Sequence, residues 1–347
     1  MAKARIFDLP ETKGVFQIKG IVTGVEENSF YKETRTRNSK EMRIINFGVE
    51  YDKGKTFYIN MLGSEREYVY FFKRGKKKGE KSDTVKVAWA DRHTYKREGY
   101  NLIGKNIGLK KKADSEGKTV NDKKIMTEFD ACEEVKDNLK DGMSVFIRGS
   151  LDCGSFIDDN NNKRVSTKLV PSQISLCSDI DFDDDNFKRQ SDFNQVIIFM
   201  GIDREKDDAG KETDRFVVTA KIVTYKTIED VEFIVEDIKL ANIFKKNLQP
   251  YNAVKVSGHM AASIQTEDVE DDDSWGEKDA MEKIKAPVKR EFIITGAKKS
   301  TVEKEVYTRE KIEEAMVKIA RASKADSDFG DDGWGDAEDI DDDDLPF

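Results

Sequence analysis

Hydrophobic and polar residues alternate in many short segments of the chain, and this is the pattern of β-strands with one buried face. In the first half of the chain these segments occupy 15–25, 42–51, 56–62, 144–151 and 168–176. Between the third and fourth segments, a helical spacing joins Phe129, Cys132, Val135 and Leu139. The order of elements is therefore three strands, a helix and two strands.

The second half of the chain repeats that order. Its alternating segments occupy 195–202, 216–225, 231–235, 253–260 and 290–295, with a helical pattern over 240–248 before the fourth. Asn138-Leu139 and Gly149 recur as Asn247-Leu248 and Gly258, each at an offset of 109 residues (247 − 138 and 258 − 149). A constant offset with similar surroundings indicates a duplicated domain.

Three strands, a helix and two strands is the order of an OB-fold, although other small barrels are compatible with it. The sequence therefore predicts a mainly β protein with two OB-fold-like five-stranded barrels in tandem. The first predicted domain covers 1–177 and contains an insertion at 63–128, and an acidic linker follows at 178–192. The second predicted domain covers 193–300 and contains an acidic insert at 266–283. An amphipathic helix is predicted at 301–325 and a disordered acidic tail at 326–347.

The insertion in the first domain contains its own strand patterns. Tyr68, Tyr70 and Phe72 alternate on one segment, and 85–89 alternates on the next. Between them lies the sequence Lys-Arg-Gly-Lys-Lys-Lys-Gly at 73–79. The insertion is therefore predicted to be a hairpin with a basic tip.

Charge is distributed unevenly along the chain, whose formal net charge is −9. Residues 1–150 carry 32 basic and 23 acidic side chains, a balance of +9, whereas 301–347 carry 6 and 16, a balance of −10. The first domain is therefore the candidate for binding a polyanion.

Other features narrow the class of protein. No apolar run is long enough to cross a membrane, and no apolar signal core follows the N-terminus, so we expect no membrane association. Three widely spaced cysteines indicate reduced thiols and a cytoplasmic location.

Single-stranded nucleic acid is bound by cationic side chains along the phosphates and by aromatic rings against the bases. The first domain combines both residue types in a loop after the first strand, on the third strand, at the hairpin tip and in the segment that follows. The candidate residues are Phe30, Tyr31, Lys32, Arg35, Arg37, Tyr58, Arg74, Lys76, Lys77, Lys78, Trp89, Tyr95, Lys96, Arg97 and Tyr100. Trp89 is in phase with Val85 and Val87, so a place in the core is the alternative for it.

Catalytic chemistry has little support in the sequence. There are two histidines, no glycine-rich phosphate loop, and no cysteine or histidine pair with the spacing of zinc ligands. The aspartates of 179–185 could hold Mg²⁺ for a nuclease, but they lie in the predicted linker, where a solvated charge run is expected. We therefore expect no cofactor, no metal and no enzymatic activity.

The end of the chain differs from an ordinary acidic tail. From Asp326 onward there are eleven acidic residues and no basic ones, and the chain then closes on an apolar tip whose residues are Asp341, Asp342, Asp343, Asp344, Leu345, Pro346 and Phe347. Phe347 can fill a pocket, Pro346 restricts the backbone, and the terminal carboxylate can pair with a cation. The tip is therefore a candidate for docking to a partner protein.

This tip resembles the C-terminus of bacterial-type single-stranded-DNA-binding proteins, with Leu345 where isoleucine is more usual. The resemblance covers about seven residues. It implies a protein that binds single-stranded DNA, takes part in replication, recombination and repair, and recruits partner enzymes through the tip, which also competes with DNA for the protein's own groove. The length of the chain favours a phage-encoded or duplicated relative, located in the host cytoplasm if phage-encoded.

The first barrel and its hairpin are thus expected to hold the DNA strand. The second barrel is expected to form a homo-oligomer, to extend the groove or to serve as a platform. Two alternatives remain open at this point: an interaction adaptor whose acidic tail mimics nucleic acid, and a metal-dependent nuclease.

Overall fold

The structure is a computed structural model that describes residues 5–36, 38–75, 82–157, 162–207, 209–264 and 288–327. It confirms a mainly β protein with three α-helices among these residues. Arg37, the lysines at 76–78, the acidic insert at 266–283 and the docking tip at 341–347 lie outside the described residues.

The first half of the chain forms a closed circuit of five paired strands. These are β1 (Gly14–Thr23), β3 (Glu41–Asp52), β4 (Lys55–Ser64), β12 (Ser144–Ile157) and β13 (Lys163–Leu176). β1 pairs with β3, β3 with β4, and β12 with β13 in antiparallel fashion. The circuit closes where β12 pairs with β1 and where β13 runs parallel to β4 at Leu169 and Ile59.

The second half forms an equivalent circuit. Its strands are β14 (Ser191–Lys206), β15 (Glu212–Val223), β16 (Ile228–Val235), β17 (Asn252–Ile264) and β18 (Val288–Ala297). The antiparallel pairs are β14 with β15, β15 with β16, and β17 with β18. The circuit closes where β17 pairs with β14 and where β18 runs parallel to β16 at Ile293 and Ile234.

In each circuit a helix precedes the fourth strand, as predicted. The first is α1 (Glu128–Asn138) and the second is α2 (Ile238–Asn247). Thr127 caps α1, since its hydroxyl accepts a hydrogen bond from the Asp130 amide. Asp237 caps α2, since its carboxylate accepts a hydrogen bond from the Lys239 amide.

Antiparallel pairing of β1 with β14 joins the two circuits into one continuous sheet. Gln195, buried at this junction, donates from its side-chain amide to the carbonyl oxygen of Thr12 at 2.7 Å. One apolar core includes Phe16 of β1 together with Phe193 and Phe233 of the second circuit. The two halves therefore share both a sheet and a core.

The chain before β1 packs against the second circuit. Phe7 and Leu9 are buried with Ile198 and with Ile312 of α3 (Arg309–Ser327). Of the predicted apolar stripe on α3, Ile312, Ala315 and Ile319 pack in this cluster, whereas Met316 is 40% exposed. The N-terminal segment, which was predicted to belong to the first domain, therefore contacts the second half of the chain. Its hydrogen bonds include Thr12 with Val223, 211 residues apart, and Tyr307 with Pro10, 297 residues apart.

The insertion after β4 contains more than the predicted hairpin. It includes β5 (Tyr68–Lys73), β6 (Asp83–Ala88), β7 (Asn101–Leu102), β8 (Lys105–Gly108), β9 (Lys111–Ala113), β10 (Thr119–Asn121) and β11 (Lys124–Met126). β5, β6 and β7 form a separate three-stranded sheet, whereas β8 runs beside β13 and extends the main sheet.

Two predicted strands prove longer than their alternating patterns. β12 and β13 continue past Leu151 and Lys168 as a hairpin arm whose outer part includes Phe156, at 53% exposure, and Ile157, at 70%. Strong alternation requires one buried face, and this arm has little burial at its end, so periodicity alone could not show its length.

Candidate nucleic-acid interface

The small sheet of β5, β6 and β7 has two different faces. Val69, Phe71 and Val87 are buried on one of them. Because side chains alternate along a strand, Tyr68, Tyr70 and Phe72 lie together on the other face, where Tyr68 is 42% exposed and the other two are half-buried. The sheet therefore presents a row of three aromatic rings.

Cationic side chains lie against aromatic rings of this sheet. The Lys86 ammonium is 4.2 Å from the centroid of the Tyr68 ring. The Tyr100 ring has the Arg97 guanidinium at 4.4 Å and the Lys73 ammonium at 5.6 Å from its centroid. Tyr100 is half-buried and packs with the Val69, Phe71 and Val87 cluster, on the face opposite the aromatic row. The pair of Tyr68 and Lys86 therefore supplies the positive charge beside an exposed ring that holds a phosphate next to a stacked base.

Tyr95 and Tyr100, both predicted as binding residues, also make contacts within the insertion. Tyr95 packs on Phe71 with ring centroids 4.7 Å apart. The Tyr100 hydroxyl donates a hydrogen bond to the Asp83 carboxylate, which raises the pKa of Tyr100. Arg74, Lys96 and Arg97 are exposed.

Trp89 is placed between the insertion and α1. It is half-buried, begins a 3-10 turn at the end of β6, and meets Phe129 edge-on with centroids 5.9 Å apart. The Arg92 guanidinium is 4.2 Å from the Trp89 ring centroid. These contacts favour the packing alternative for Trp89 over base stacking.

An ion pair fixes the insertion to α1. The Arg92 guanidinium donates to both carboxylate oxygens of Asp130, at 3.0 and 3.1 Å. Burial alone would raise the pKa of Asp130, but the hydrogen bonds from Arg92 and Thr127 outweigh it and lower that pKa. The bidentate geometry gives the insertion a defined orientation.

The short edge strand β2 (Tyr31–Arg35) carries the other predicted cations. Lys32 and Arg35 are exposed. The Lys136 ammonium lies 4.3 Å from the centroid of the Tyr31 ring, and the Tyr31 hydroxyl donates a hydrogen bond to the Glu33 carboxylate. Phe30 is 6% exposed and belongs to the core, so we leave it out of the proposed interface.

β2 and the insertion meet at one edge of the first circuit. Arg35 pairs across the sheet with Glu41, and the Glu65 amide donates to the Glu41 carbonyl oxygen at 2.9 Å. The Trp89 amide donates to the Glu67 carbonyl oxygen at 2.9 Å. The structure therefore brings the cations of β2 close to the start of the aromatic sheet.

Tyr58 lies elsewhere, on the outer face of β4. Its ring is 55% exposed and faces a groove of about 660 Å³ between the two circuits. Five residues separate Tyr58 from Gly63, where β4 approaches α1, which is about 17 Å along a strand. Tyr58 is thus separate from the insertion.

Sequence reasoning missed several residues of this surface. Tyr68, Tyr70 and Phe72 were recognised only as a strand pattern, and Lys86 was overlooked because it stands alone among apolar neighbours. The signal that could have identified them is an aromatic residue at three alternating positions of one strand. A strand with one buried face does not need aromatic rings on its exposed face, so rings at those positions indicate a binding surface.

The described residues show no group of three or more histidine, cysteine or acidic side chains that could hold a metal ion. Within the described part of the chain, no helix is both long and apolar enough to span a membrane.

The structure thus defines a mainly β protein that carries an aromatic and cationic surface on an insertion in its first circuit. A family model described as YorF matches residues 74–331, and the chain belongs to the YorF family. A search of curated proteins found no match.

Among solved structures, the chain is similar to the wild-type single-stranded DNA binding protein from Thermus aquaticus. The identity is 9% and the TM-score 0.37, with 83% of this chain and 93% of that chain covered. A deletion mutant of the same Thermus aquaticus protein gives 10% identity and a TM-score of 0.38, with 83% and 94% covered.

Proposed function

We propose that this chain is a non-enzymatic single-stranded-DNA-binding protein and that the aromatic row Tyr68, Tyr70 and Phe72 is its main binding surface. The observation that carries the proposal is the Lys86 ammonium at 4.2 Å from the centroid of the exposed Tyr68 ring, on the face that carries the row. The charge balance of +9 over residues 1–150 supports it.

The two closed circuits are, in this proposal, OB-fold barrels that arose by duplication. Support comes from the element order and from the closing pairs, β1 with β12 and β4 with β13, which recur in the second circuit. The protein would coat and protect single strands in the cytoplasm during replication, recombination and repair, and the tip at 341–347 would recruit partner enzymes.

Fluorescence anisotropy with labelled oligo-dT, compared with duplex of the same length, tests the proposal. We expect preference for the single strand and a log–log salt slope of roughly −3 to −4, corresponding to four to six neutralised phosphates. Equal affinity for duplex, or no binding, would leave the interaction adaptor as the better reading.

A matched set of variants localises the surface. Tyr68→Ala should weaken oligo-dT binding by about 1–3 kcal/mol, the usual contribution of a stacked aromatic residue. Lys86→Glu should make the salt slope shallower, whereas Lys304→Glu, at an exposed position of the second half, is the control and should have a smaller effect.

Incubation of the oligonucleotide with Mg²⁺ or Mn²⁺ and the protein should give no cleavage. Cleavage would favour the nuclease alternative.

A further inference from the structure

The groove between the two circuits is built from both halves of the chain. β4 and β13 supply Tyr58, Asn60 and Lys168 from the first circuit, and β15, β16 and β18 supply Thr219, Glu232 and Arg290 from the second. Its volume of about 660 Å³ lies in the range of small-molecule sites. No residue of this groove other than Tyr58 was identified from the sequence.

Tyr58 and Arg290 form a contact across the groove. Phe57 and Ile59 are buried in the core, so the intervening Tyr58 ring points outward and remains 55% exposed. The Arg290 guanidinium is 4.9 Å from the centroid of that ring, and its Nε donates to the Thr56 carbonyl oxygen at 3.3 Å. The Arg290 guanidinium is therefore held beside the Tyr58 ring, and part of that ring remains exposed.

Lys168 lies on the same outer face as Tyr58. β13 runs parallel to β4 with Leu169 opposite Ile59, and both of these residues point into the core. The preceding residue on each strand, Lys168 on β13 and Tyr58 on β4, therefore points outward at neighbouring positions. Lys168 thus lies at the strand position next to Tyr58, with Asp152 as its cross-strand partner, while Arg290 approaches the ring from the second circuit.

The second circuit also lines the groove with carboxylates, on β16. Asp230 is paired with Lys221 at 2.6 Å, which offsets its charge, while Glu232 is exposed. A ligand with one anionic group would therefore place that group toward Tyr58, Lys168 and Arg290 and away from Glu232. An aromatic ring that also belongs to the ligand could then stack on Tyr58.

We propose that this groove is a second subsite for single-stranded DNA, in which one base stacks on Tyr58 and the adjacent phosphate binds Arg290 and Lys168. The proposal rests on the proposed function and adds to it that the second circuit contributes directly to binding. A strand bound first on the insertion would have to extend along the outer face of the first circuit, about 17 Å or more, to reach this groove.

Oligonucleotide length provides the test, because a short strand can occupy the insertion without reaching the groove. Anisotropy titrations would compare oligo-dT of about 5 and about 20 nucleotides, which bracket the usual site sizes of single OB-folds. Tyr58→Ala should weaken binding of the long oligonucleotide about 5- to 150-fold and leave the short one within about twofold. Arg290→Ala should act in the same direction.

Conservative variants separate binding from a purely structural role. Tyr58→Phe keeps the ring and should retain affinity for the long oligonucleotide, and Arg290→Lys should retain more of it than Arg290→Ala. Because Tyr58 and Arg290 would act on one nucleotide, the double alanine variant should lose less than the product of the two single losses. Arg309→Ala, which removes one exposed arginine from α3, is the charge-matched control and should change little.

The outcomes distinguish this proposal from the proposed function. If wild type binds both oligonucleotides but Tyr58→Ala and Arg290→Ala behave like Arg309→Ala, the groove is not a subsite, although the proposed function stands. Equal losses for both lengths would also overturn it, since they would indicate a general disturbance of the fold. If wild type binds neither oligonucleotide, the proposed function fails and the subsite fails with it.

Discussion

Gly149 and Gly258 occupy the same position in the two copies, and the structure shows why each must be glycine. Both lie at a shift in strand register, between β12 and β13 in one circuit and between β17 and β18 in the other. A Cβ on Gly149 would lie 2.0 Å from the Val170 carbonyl oxygen, and one on Gly258 would lie 1.8 Å from that of Ile293. The repeated glycine therefore permits close backbone approach at a bulge.

The repeated Asn-Leu pair also has one role in both copies. The side-chain amides of Asn138 and Asn247 donate to the carbonyl oxygens four residues earlier, at 2.8 and 2.7 Å, at the end of each helix. Leu139 and Leu248 follow as buried C-cap residues. The sequence repeat thus reflects equivalent helix ends, which supports a common origin of the two circuits.

Substitution of either glycine should destabilise the fold. We expect Gly149→Ala and Gly258→Ala each to lower the free energy of unfolding by about 1–3 kcal/mol, the usual cost of overpacking. Gly154→Ala on the same strand as Gly149 is the control, because a Cβ there meets nothing within 4 Å. Urea denaturation would measure the three variants, and equal midpoints would contradict the role assigned to the bulge.

The Asp130 carboxylate should make stability depend on pH in the acid range. Its folded-state pKa is lowered, so its contribution is present above the unfolded pKa and is lost as the pH falls through the folded value. Asp130→Asn should therefore cost about 1.5–3 kcal/mol at pH 6, as for a hydrogen bond to a charged group.

The difference in unfolding free energy between wild type and Asp130→Asn should shrink as the pH falls below about 4. Chemical denaturation at a series of pH values would measure it. Asp137→Asn, which also changes a carboxylate on α1 but at an exposed position, is the control. A difference that stays constant down to pH 2 would show that the Asp130 charge is not involved.

Among the elements, the β5–β6–β7 sheet is separate from the main sheet. Its own apolar cluster is small, with Val69, Phe71 and Val87 as the buried members. Its fixed contacts to the main body include the Arg92–Asp130 ion pair and the edge contact of Trp89 on Phe129. Small clusters with few long-range contacts open at low free energy.

Removal of the Arg92 side chain should loosen this element selectively. We expect Arg92→Ala to increase amide hydrogen exchange over residues 68–102, while exchange in β3 and β12 stays close to that of wild type. Arg97→Ala is the control, since Arg97 is exposed and contacts Tyr100 within the insertion itself. Uniformly faster exchange in the whole chain would mean that the ion pair supports the fold at large.

The sequence predicted those elements that have one buried and one exposed face. Each of the ten predicted strand segments overlaps a strand of the two circuits, because alternation reports a buried face directly. Strands β8 and β11 were missed, since each is only three or four residues long and joins the sheet through long-range pairing.

The sequence yields candidate site residues only where they cluster along the chain. The cations of β2 and the segment at 95–100 stand close together in sequence, so they could be proposed as candidates. Arg290 could not be assigned to Tyr58, because the two are more than 230 residues apart and meet only after both circuits close. Phe30 was misassigned because an aromatic residue beside lysines has the same sequence signature whether it is buried or exposed.

At the scale of the whole molecule, the N-terminal segment connects the two ends of the chain. Leu9, 3% exposed, lies with Phe7 in a cluster that also contains Ile312 and Ala315 of α3. The Tyr307 hydroxyl donates to the Pro10 carbonyl oxygen at 3.1 Å. The stability of the second circuit therefore depends on residues that precede the first.

Leu9→Ala should lower the free energy of unfolding by about 2–5 kcal/mol, as for other leucines deleted from a core. Ile6→Ala is the matched control, because Ile6 is 42% exposed and should cost less than about 0.5 kcal/mol. Thermal and urea unfolding would measure both. A similar small effect for the two variants would show that the N-terminal segment is not part of the folded core.

The acidic C-terminal residues dominate the net charge of the molecule. Residues 328–347 contain ten acidic and no basic side chains, so removing them changes the formal charge from −9 to +1 (−9 + 10). We expect the truncated chain to bind oligo-dT with equal or higher affinity, because a polyanion that competes for the cationic surface has been removed.

Anisotropy at low salt would measure the effect, and full-length protein with the tip residues Leu345 and Phe347 changed to alanine is the control that keeps the charge. Weaker DNA binding by the truncated chain would contradict the competition. Loss of partner capture in both variants, with DNA affinity raised only by truncation, would separate the role of the apolar tip from that of the charge.

The contact between the first and last elements also sets an order for synthesis. Phe7 leaves the ribosome about 300 residues before its partner Ile312 (312 − 7 = 305). At about 5–20 residues per second, the N-terminal segment therefore waits some 15–60 seconds before its binding surface is complete. During that interval two buried apolar side chains of the finished protein are exposed on the nascent chain, which makes them a natural contact for a chaperone.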